Sequence, residues 1–178
     1  ILSTMTGSGI EVAWFDHSHP NEAAYCICVS RKSHEVIVVF RGSDRAHKWA
    51  QNFRCSTSGH PNPISNEEYE GRDEELRMHT GFGLNLLRRR VDDGRRRLDE
   101  IFQKVAAIGK ELVPNGKFRV SVTGQSLGGA MATIFGLHAA ADARFTMAGP
   151  VRVFSFGSPR VGDKTFAAAH RHLERTGR

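Results

Sequence analysis

Val122-Thr123-Gly124-Gln125-Ser126-Leu127-Gly128-Gly129-Ala130 is the stretch that decides the fold. It continues a short run, Phe118-Arg119-Val120-Ser121-Val122, that leaves the breaker Pro114-Asn115-Gly116 and reads as a strand. It leads into an apolar, Ala-rich run from about Leu127 to Ala141 that reads as a helix. A strand running straight into a helix places one residue at the corner, and here that residue is Ser126. Side chains two positions to either side would collide with neighbouring backbone, which is why Gly124 and Gly128 complete a G-x-S-x-G pattern. Gly129 and Ala130 keep the new helix close to the sheet. The helix start also offers free N–H groups and the positive end of its dipole to a developing anion. Ser126 is therefore the candidate nucleophile.

Working outward, residues 23–30 and 35–40 read as two strands joined by the tight turn Arg31-Lys32-Ser33-His34. The second is almost continuously apolar, as a doubly buried strand should be, and breaks at Arg41-Gly42-Ser43-Asp44. Residues 44–78 are polar and rich in loop formers; His60-Pro61-Asn62-Pro63 is a break, and the acidic run from Glu67 to Glu75 reads as solvated surface. From Phe82 to Leu112 apolar residues recur at three, four or seven, predicting one long amphipathic helix or two joined near Gly94. Val151 to Phe156 reads as another buried strand, and Asp163 begins a last helix. Strand–helix alternation of this kind predicts parallel pairing and a three-layer α/β domain spanning residues 1–178.

The composition narrows the classes. With 178 residues and 39% hydrophobic content, the chain suffices for one sizeable core. No run approaches the ~18 apolar residues of a membrane-spanning helix, and no signal peptide is visible, although the sequence does not start with Met. The net charge of +6 is concentrated in Arg88-Arg89-Arg90 and Arg95-Arg96-Arg97, which on a helix form a broad solvated face. No aromatic residues interleave them, so no nucleic-acid partner is expected, while an electrostatic assist at an anionic lipid surface stays open. Cys26 and Cys28 share one face of a strand and cannot easily pair, and Cys55 stands apart, so reduced thiols are expected. No spacing supports a metal site.

Acyl transfer needs two N–H donors for the oxyanion. One follows the nucleophile, at Leu127, and the other usually comes from the loop ending a neighbouring strand. Val39-Phe40-Arg41-Gly42-Ser43 is such a place, though Ser43 alone reads as an ordinary turn serine. Four ordered segments, Val38–Ser43, His79-Thr80-Gly81-Phe82, Val122–Ala130 and Phe156-Gly-Ser-Pro-Arg-Val-Gly-Asp163, make the chain resemble the fungal-type, or class 3, triacylglycerol lipases. The resemblance implies an α/β-hydrolase fold with a mostly parallel central sheet, Ser126 as nucleophile, and Ser43 with the Leu127 N–H as oxyanion hole. It implies acylglycerol or other lipid ester substrates, transient contact with a lipid interface, and no metal or organic cofactor. It further implies that the amphipathic piece around Trp49 and Phe53, within residues 44–55, belongs to a lid, with a packed surface helix as the alternative. His79 and Pro159 read as scaffold; Gln125 departs from the His more usual there.

The remaining triad members, in chain order Asp then His, are harder to place. His138 and Asp142 lie roughly 18 and 24 Å along the helix that Ser126 starts, at ~1.5 Å per residue, and are excluded. Asp163 falls in the turn that begins the last helix, where Asp is a good N-cap, and His170 and His172 read as solvated surface on that helix. The resemblance puts the acid and base beyond Arg178, so the sequence is expected to be a fragment with its last strands missing and a sheet edge exposed. Alone it is expected to hydrolyse esters barely, if at all. A phospholipase, a mono- or diacylglycerol lipase or another esterase, and a non-catalytic lipid-binding protein, are the alternative readings.

Overall fold

A computed structural model describes residues 9–18, 22–42, 56–65, 68–69 and 75–178. Seven strands occur among them: β1 (Ile10–Asp16), β2 (Tyr25–Ser30), β3 (Glu35–Phe40), β4 (Thr57–Pro61), β5 (Glu75–His79), β6 (Arg119–Gln125) and β7 (Arg152–Phe156). The helices are α1 (Thr80–Leu87), α2 (Arg97–Leu112), α3 (Leu127–Ala140), the short α4 (Ala143–Thr146) and α5 (Lys164–Arg175). The central sheet has the order β1-β2-β3-β6-β7. It is mixed: β1, β2 and β3 form an antiparallel meander, and β3, β6 and β7 run parallel. The β2–β3 hairpin pairs Ser30 with Glu35 and Tyr25 with Phe40, as the alternating runs and the polar turn require.

One sheet face is covered. Tyr25, Ile27, Val36, Val38, Phe40 and Val122 are buried there under α2 and α3. Phe135 of α3 meets Phe40 and Phe102 edge-on, at 5.6 and 5.2 Å between ring centroids. Gly136 brings α3 down onto Val122 and Val153. The opposite face carries the row Phe15, Cys26, Val39, Thr123 and Phe154, one residue from each strand in register. Phe15 and Phe154 are about half exposed, at 51% and 49%. The described residues thus supply a sheet and one helical layer, two of the three layers expected. No helix among them is long and apolar enough to cross a membrane.

Four expectations change. The sequence pattern does not mark β1; its residues are half-buried on both faces, and a register shift between Val12 and Trp14 breaks the alternation. Inside the polar segment 44–78, β4 and β5 pair antiparallel, and Pro61 falls at the end of β4, opposite Glu75. Of the two readings of the long amphipathic pattern, the second holds: it is two helices joined through Arg88–Arg96, a turn in which Gly94 takes φ +68°. The arginine triplets therefore do not stack on one solvated face, and Val91 is wholly exposed. Lastly, β7 is mostly exposed, because it is the outermost strand of the sheet among the described residues.

Two of those arginines are internal. Arg97, only 1% exposed, donates to the Ala23 carbonyl at 3.1 Å, to Asp16 at 3.0 Å and to Glu100 at 3.3 Å. Its guanidinium also lies 4.8 Å from the centre of the Tyr25 ring. Arg90 forks onto Glu22 at 2.7 Å and Glu100 at 2.6 Å. This network ties the start of α2 to the end of β1 and the entry to β2.

Candidate active site

β6 runs in register between β3 and β7 and ends level with both, Gly124 opposite Phe40 and Gln125 opposite Phe156. The next residue, Ser126, has φ 54° and ψ −122° and is the N-cap of α3. Positive φ at a non-glycine residue costs about 1–3 kcal/mol and persists only where the surroundings impose it. Three contacts impose it here. The Ser126 N–H donates to the Phe156 carbonyl at 2.9 Å, tying the corner to the end of β7. The Ser126 carbonyl accepts from the N–H groups of Gly129 at 2.9 Å and Ala130 at 3.2 Å, which closes the first turn of α3. The glycines do the rest by close approach. A Cβ on Gly124 would lie 2.2 Å from Gly128 backbone atoms, and one on Gly128 would lie 2.4 Å from the Phe40 carbonyl oxygen. The ends of β3, β6 and β7 are thus drawn onto one helix N-terminus, with Ser126 half-buried at its tip.

Leu127, the expected oxyanion donor, is the first residue of α3 and is half-buried beside the core. Ser43, the other expected donor, lies outside the described residues, as do Trp49, Phe53 and Cys55. Gln125 is exposed at the strand end. Sequence reasoning missed the Phe156 carbonyl as a partner of Ser126; the parallel β6–β7 register was its signal.

The histidines and acids fall away from this corner in chemistry. His79 stacks on Phe82 with ring centroids 4.2 Å apart, and its backbone N–H donates to the Val161 carbonyl at 2.8 Å. His138 is buried on α3, and burial pushes its imidazole down to about 4. Asp142 caps α4 by accepting from the Arg144 N–H at 3.0 Å. Asp163 caps α5, accepting from the N–H and hydroxyl of Thr165 at 2.8 and 2.6 Å, and the hydroxyl bond holds its carboxyl below the usual range. His170 lies 3.5 Å from Glu174 one turn further along α5, and His172 meets the Tyr69 ring at 5.1 Å. His172 is thus a packed residue, not the solvated one expected. Cys26 and Cys28 are free thiols. No group of three or more metal-ligating side chains occurs among the described residues.

A strained serine at a strand-to-helix corner, on a sheet with parallel β3, β6 and β7, defines an α/β-hydrolase fold. The chain belongs to the class 3 lipase family, whose model matches residues 37–177. It is 32% identical over 140 residues to a chloroplastic phospholipase A(1), DAD1, of Arabidopsis thaliana, covering 74% of this chain and 28% of the relative. It is 29% identical over 134 residues to a secreted mono- and diacylglycerol lipase of Fusarium solani, covering 75% of this chain and 32% of that one. The chain therefore spans about a third or less of these relatives' length. Among solved structures, the triacylglyceride lipase of Rhizomucor miehei matches with TM-score 0.71 at 21% identity, over 96% of this chain and 56% of that one. A triacylglycerol lipase of Penicillium expansum matches with TM-score 0.69 at 13% identity, over 92% and 56%. These last two likenesses are of fold.

Proposed function

We propose that this chain carries the nucleophile of a carboxylic ester hydrolase acting on acylglycerols. The observation that carries the reading is Ser126 held at φ 54° where β6 meets α3, an expensive conformation that sets its hydroxyl at the helix N-terminus. In this reading Ser126 Oγ attacks the acyl carbonyl carbon. The Leu127 N–H and a donor at Ser43 hold the negative charge that forms on the carbonyl oxygen. The C–O bond to the alcohol then breaks, the alcohol leaves with a proton, and water releases the fatty acid from the acyl-serine. No described histidine is assigned as the base.

Family membership supports the chemistry, and the relatives' names point to phospholipids and to mono- and diacylglycerols as substrate classes to be tried beside triacylglycerols. The test is labelling of the full-length protein with an alkyl fluorophosphonate, with peptide mapping. The expected result is a single adduct on Ser126 and loss of turnover by about a millionfold in Ser126→Ala, as for a nucleophile acting within a triad. A folded full-length protein that takes up no label would point instead to non-catalytic lipid binding. A series of emulsified and soluble esters then separates the substrate classes.

A further inference from the structure

The breaker Pro114-Asn115-Gly116 joins the end of α2 to the start of β6 as an exposed turn. Asn115 is exposed, and its side-chain Oδ1 accepts the backbone N–H of Lys117 at 3.1 Å. The Gly116 N–H donates to the Val113 carbonyl at 2.8 Å. Gly116 takes φ +76°, and nothing lies within 4 Å of where a Cβ on it would stand. The backbone nitrogen of Gly116 and the side-chain amide carbon of Asn115 can close a five-membered ring. Here no side chain on Gly116 obstructs that closure, and solvent surrounds it.

No other asparagine has this neighbour. Each of the rest is followed by a residue with a side chain, namely Glu22, Phe53, Pro63, Glu67 and Leu86. Asn85 is also fixed within α1, where its amide donates to the Gly81 carbonyl at 2.6 Å. Asp93-Gly94 repeats the bare glycine, at φ +68°, but with an acid in place of the amide. Asp93 Oδ1 accepts the Arg95 N–H at 2.9 Å and Oδ2 faces Arg90 at 3.4 Å. The Arg95 bond, chief among these, holds the Asp93 carboxyl below its usual range. An ionised carboxylate resists attack by a nucleophile. The neutral Asn115 amide, with its oxygen on an N–H donor, is polarised toward it.

We propose that Asn115 is a site of spontaneous covalent modification, at which the Gly116 nitrogen attacks the Asn115 side-chain amide carbon and deamidates it through a succinimide. The bond that forms is N–Cγ and the bond that breaks is Cγ–Nδ2. Hydroxide takes the Gly116 amide proton, and Nδ2 leaves as ammonia with a proton from water. The Lys117 N–H steadies the negative charge on Oδ1 during the attack. Water then opens the ring. Opening at the side-chain carbonyl gives aspartate, and opening at the main-chain carbonyl gives isoaspartate, which lengthens the turn by one methylene. Either product lowers the net charge of +6 by one, next to Lys117. Isoaspartate also presents a free α-carboxylate that a carboxyl methyltransferase can esterify. The Gly116–Val113 bond must open before attack. One exposed hydrogen bond contributes little net stability, so the turn slows the reaction only about fivefold relative to the unfolded chain.

The experiment incubates the full-length protein for days in warm, mildly alkaline buffer, once folded and once in urea. Peptide mapping by mass spectrometry follows the replacement of NH2 by OH. An isoaspartate-specific methyltransferase with a radiolabelled methyl donor reports isoaspartate. The expected result is that the peptide holding Asn115 changes first, with isoaspartate at that position and Asp93 unaltered. The folded protein reacts about fivefold more slowly than the urea sample. Gly116→Ala slows the reaction several-fold in urea, a comparison that does not depend on folding, and Asn115→Gln abolishes the methylation at this position. An Asn115 that stays intact in the folded protein while the urea sample reacts overturns the proposal, because the turn then locks the amide. So does earlier modification of another asparagine, or a Gly116→Ala variant that reacts at the wild-type rate in urea.

Discussion

Gly128 and Gly129 are consecutive and look equivalent in the sequence, yet their surroundings separate them. An added Cβ at Gly128 meets backbone, the Phe40 carbonyl at 2.4 Å; at Gly129 the nearest atom is the Ser155 hydroxyl at 2.8 Å, which can turn away, with Ser158 Cβ at 3.0 Å and the Gly124 carbonyl oxygen at 3.2 Å behind it. Backbone cannot yield without parting α3 from β3. Gly128→Ala should therefore cost about 3 kcal/mol or more, as overpacking against a rigid partner does. Gly129→Ala should cost less than about 1 kcal/mol, since the helical preference of alanine over glycine offsets the remaining crowding. Urea midpoints of the two variants check this, and equal losses would show that the contacts at Gly129 are as rigid as those at Gly128. The G-x-S-x-G pattern makes Gly128 legible from the amino-acid sequence, because a strand–serine–helix corner has that steric demand wherever it occurs. The pattern carries no sign of the Phe156 carbonyl under Ser126, because that partner is set by strand register across 30 residues of chain.

Between elements, the arginine triplets illustrate what periodicity does and does not carry. A run of Arg at helical spacing reads as a solvated face because charge is expensive to bury alone. Here Arg97 and Arg90 are internal because Asp16, Glu22 and Glu100 converge on them from β1, the entry to β2 and α2, and the Arg90 side chain is 9% exposed. No window of local sequence contains those partners together. Removing Arg97 takes the ion-pair partner from Asp16 and the donor from the buried Ala23 carbonyl, while Glu22 and Glu100 keep Arg90, so Arg97→Ala should destabilise by about 3 kcal/mol. Arg95→Ala, two residues away and exposed, should change stability by less than about 0.5 kcal/mol. Comparable small losses in both, read from denaturant midpoints, would mean the network contributes little. The same limit explains the missed β4 and β5, whose pairing joins residues that are separately polar. The split of the amphipathic run, by contrast, was legible at Gly94, the residue that takes φ +68° in the turn between α1 and α2.

At the scale of the whole molecule, the charge state of the core sets an acid limit. His138 is buried on α3 with Nε2 lacking a hydrogen-bond partner among the described residues, and burial pushes its imidazole from 6.5 to about 4. Arg96 and His60 push the same way, and Asp99 opposes them. The native state thus binds fewer protons than the unfolded chain between those two values, so stability falls as pH drops through that window. The contribution is complete above pH 6.5, is lost progressively toward pH 4, and stays lost below; a shift of this size corresponds to roughly 3 kcal/mol. The paired carboxylates act in a lower window. Asp99 and Glu100, lowered chiefly by bonds to Arg96 and Arg90, lose their stabilisation only as pH falls through and below the ordinary carboxylate range. His60, also lowered by burial, adds to the upper window and leaves a residual slope there. Urea midpoints of the full-length protein measured from pH 7.5 to 4 should therefore decline, and most of that decline should vanish in His138→Leu. The variant should also be at least as stable as wild type at neutral pH, because it replaces a polar atom that has no partner with an apolar group of similar volume. A variant that keeps the wild-type pH slope would place the acid sensitivity elsewhere, with His60 the next group to change.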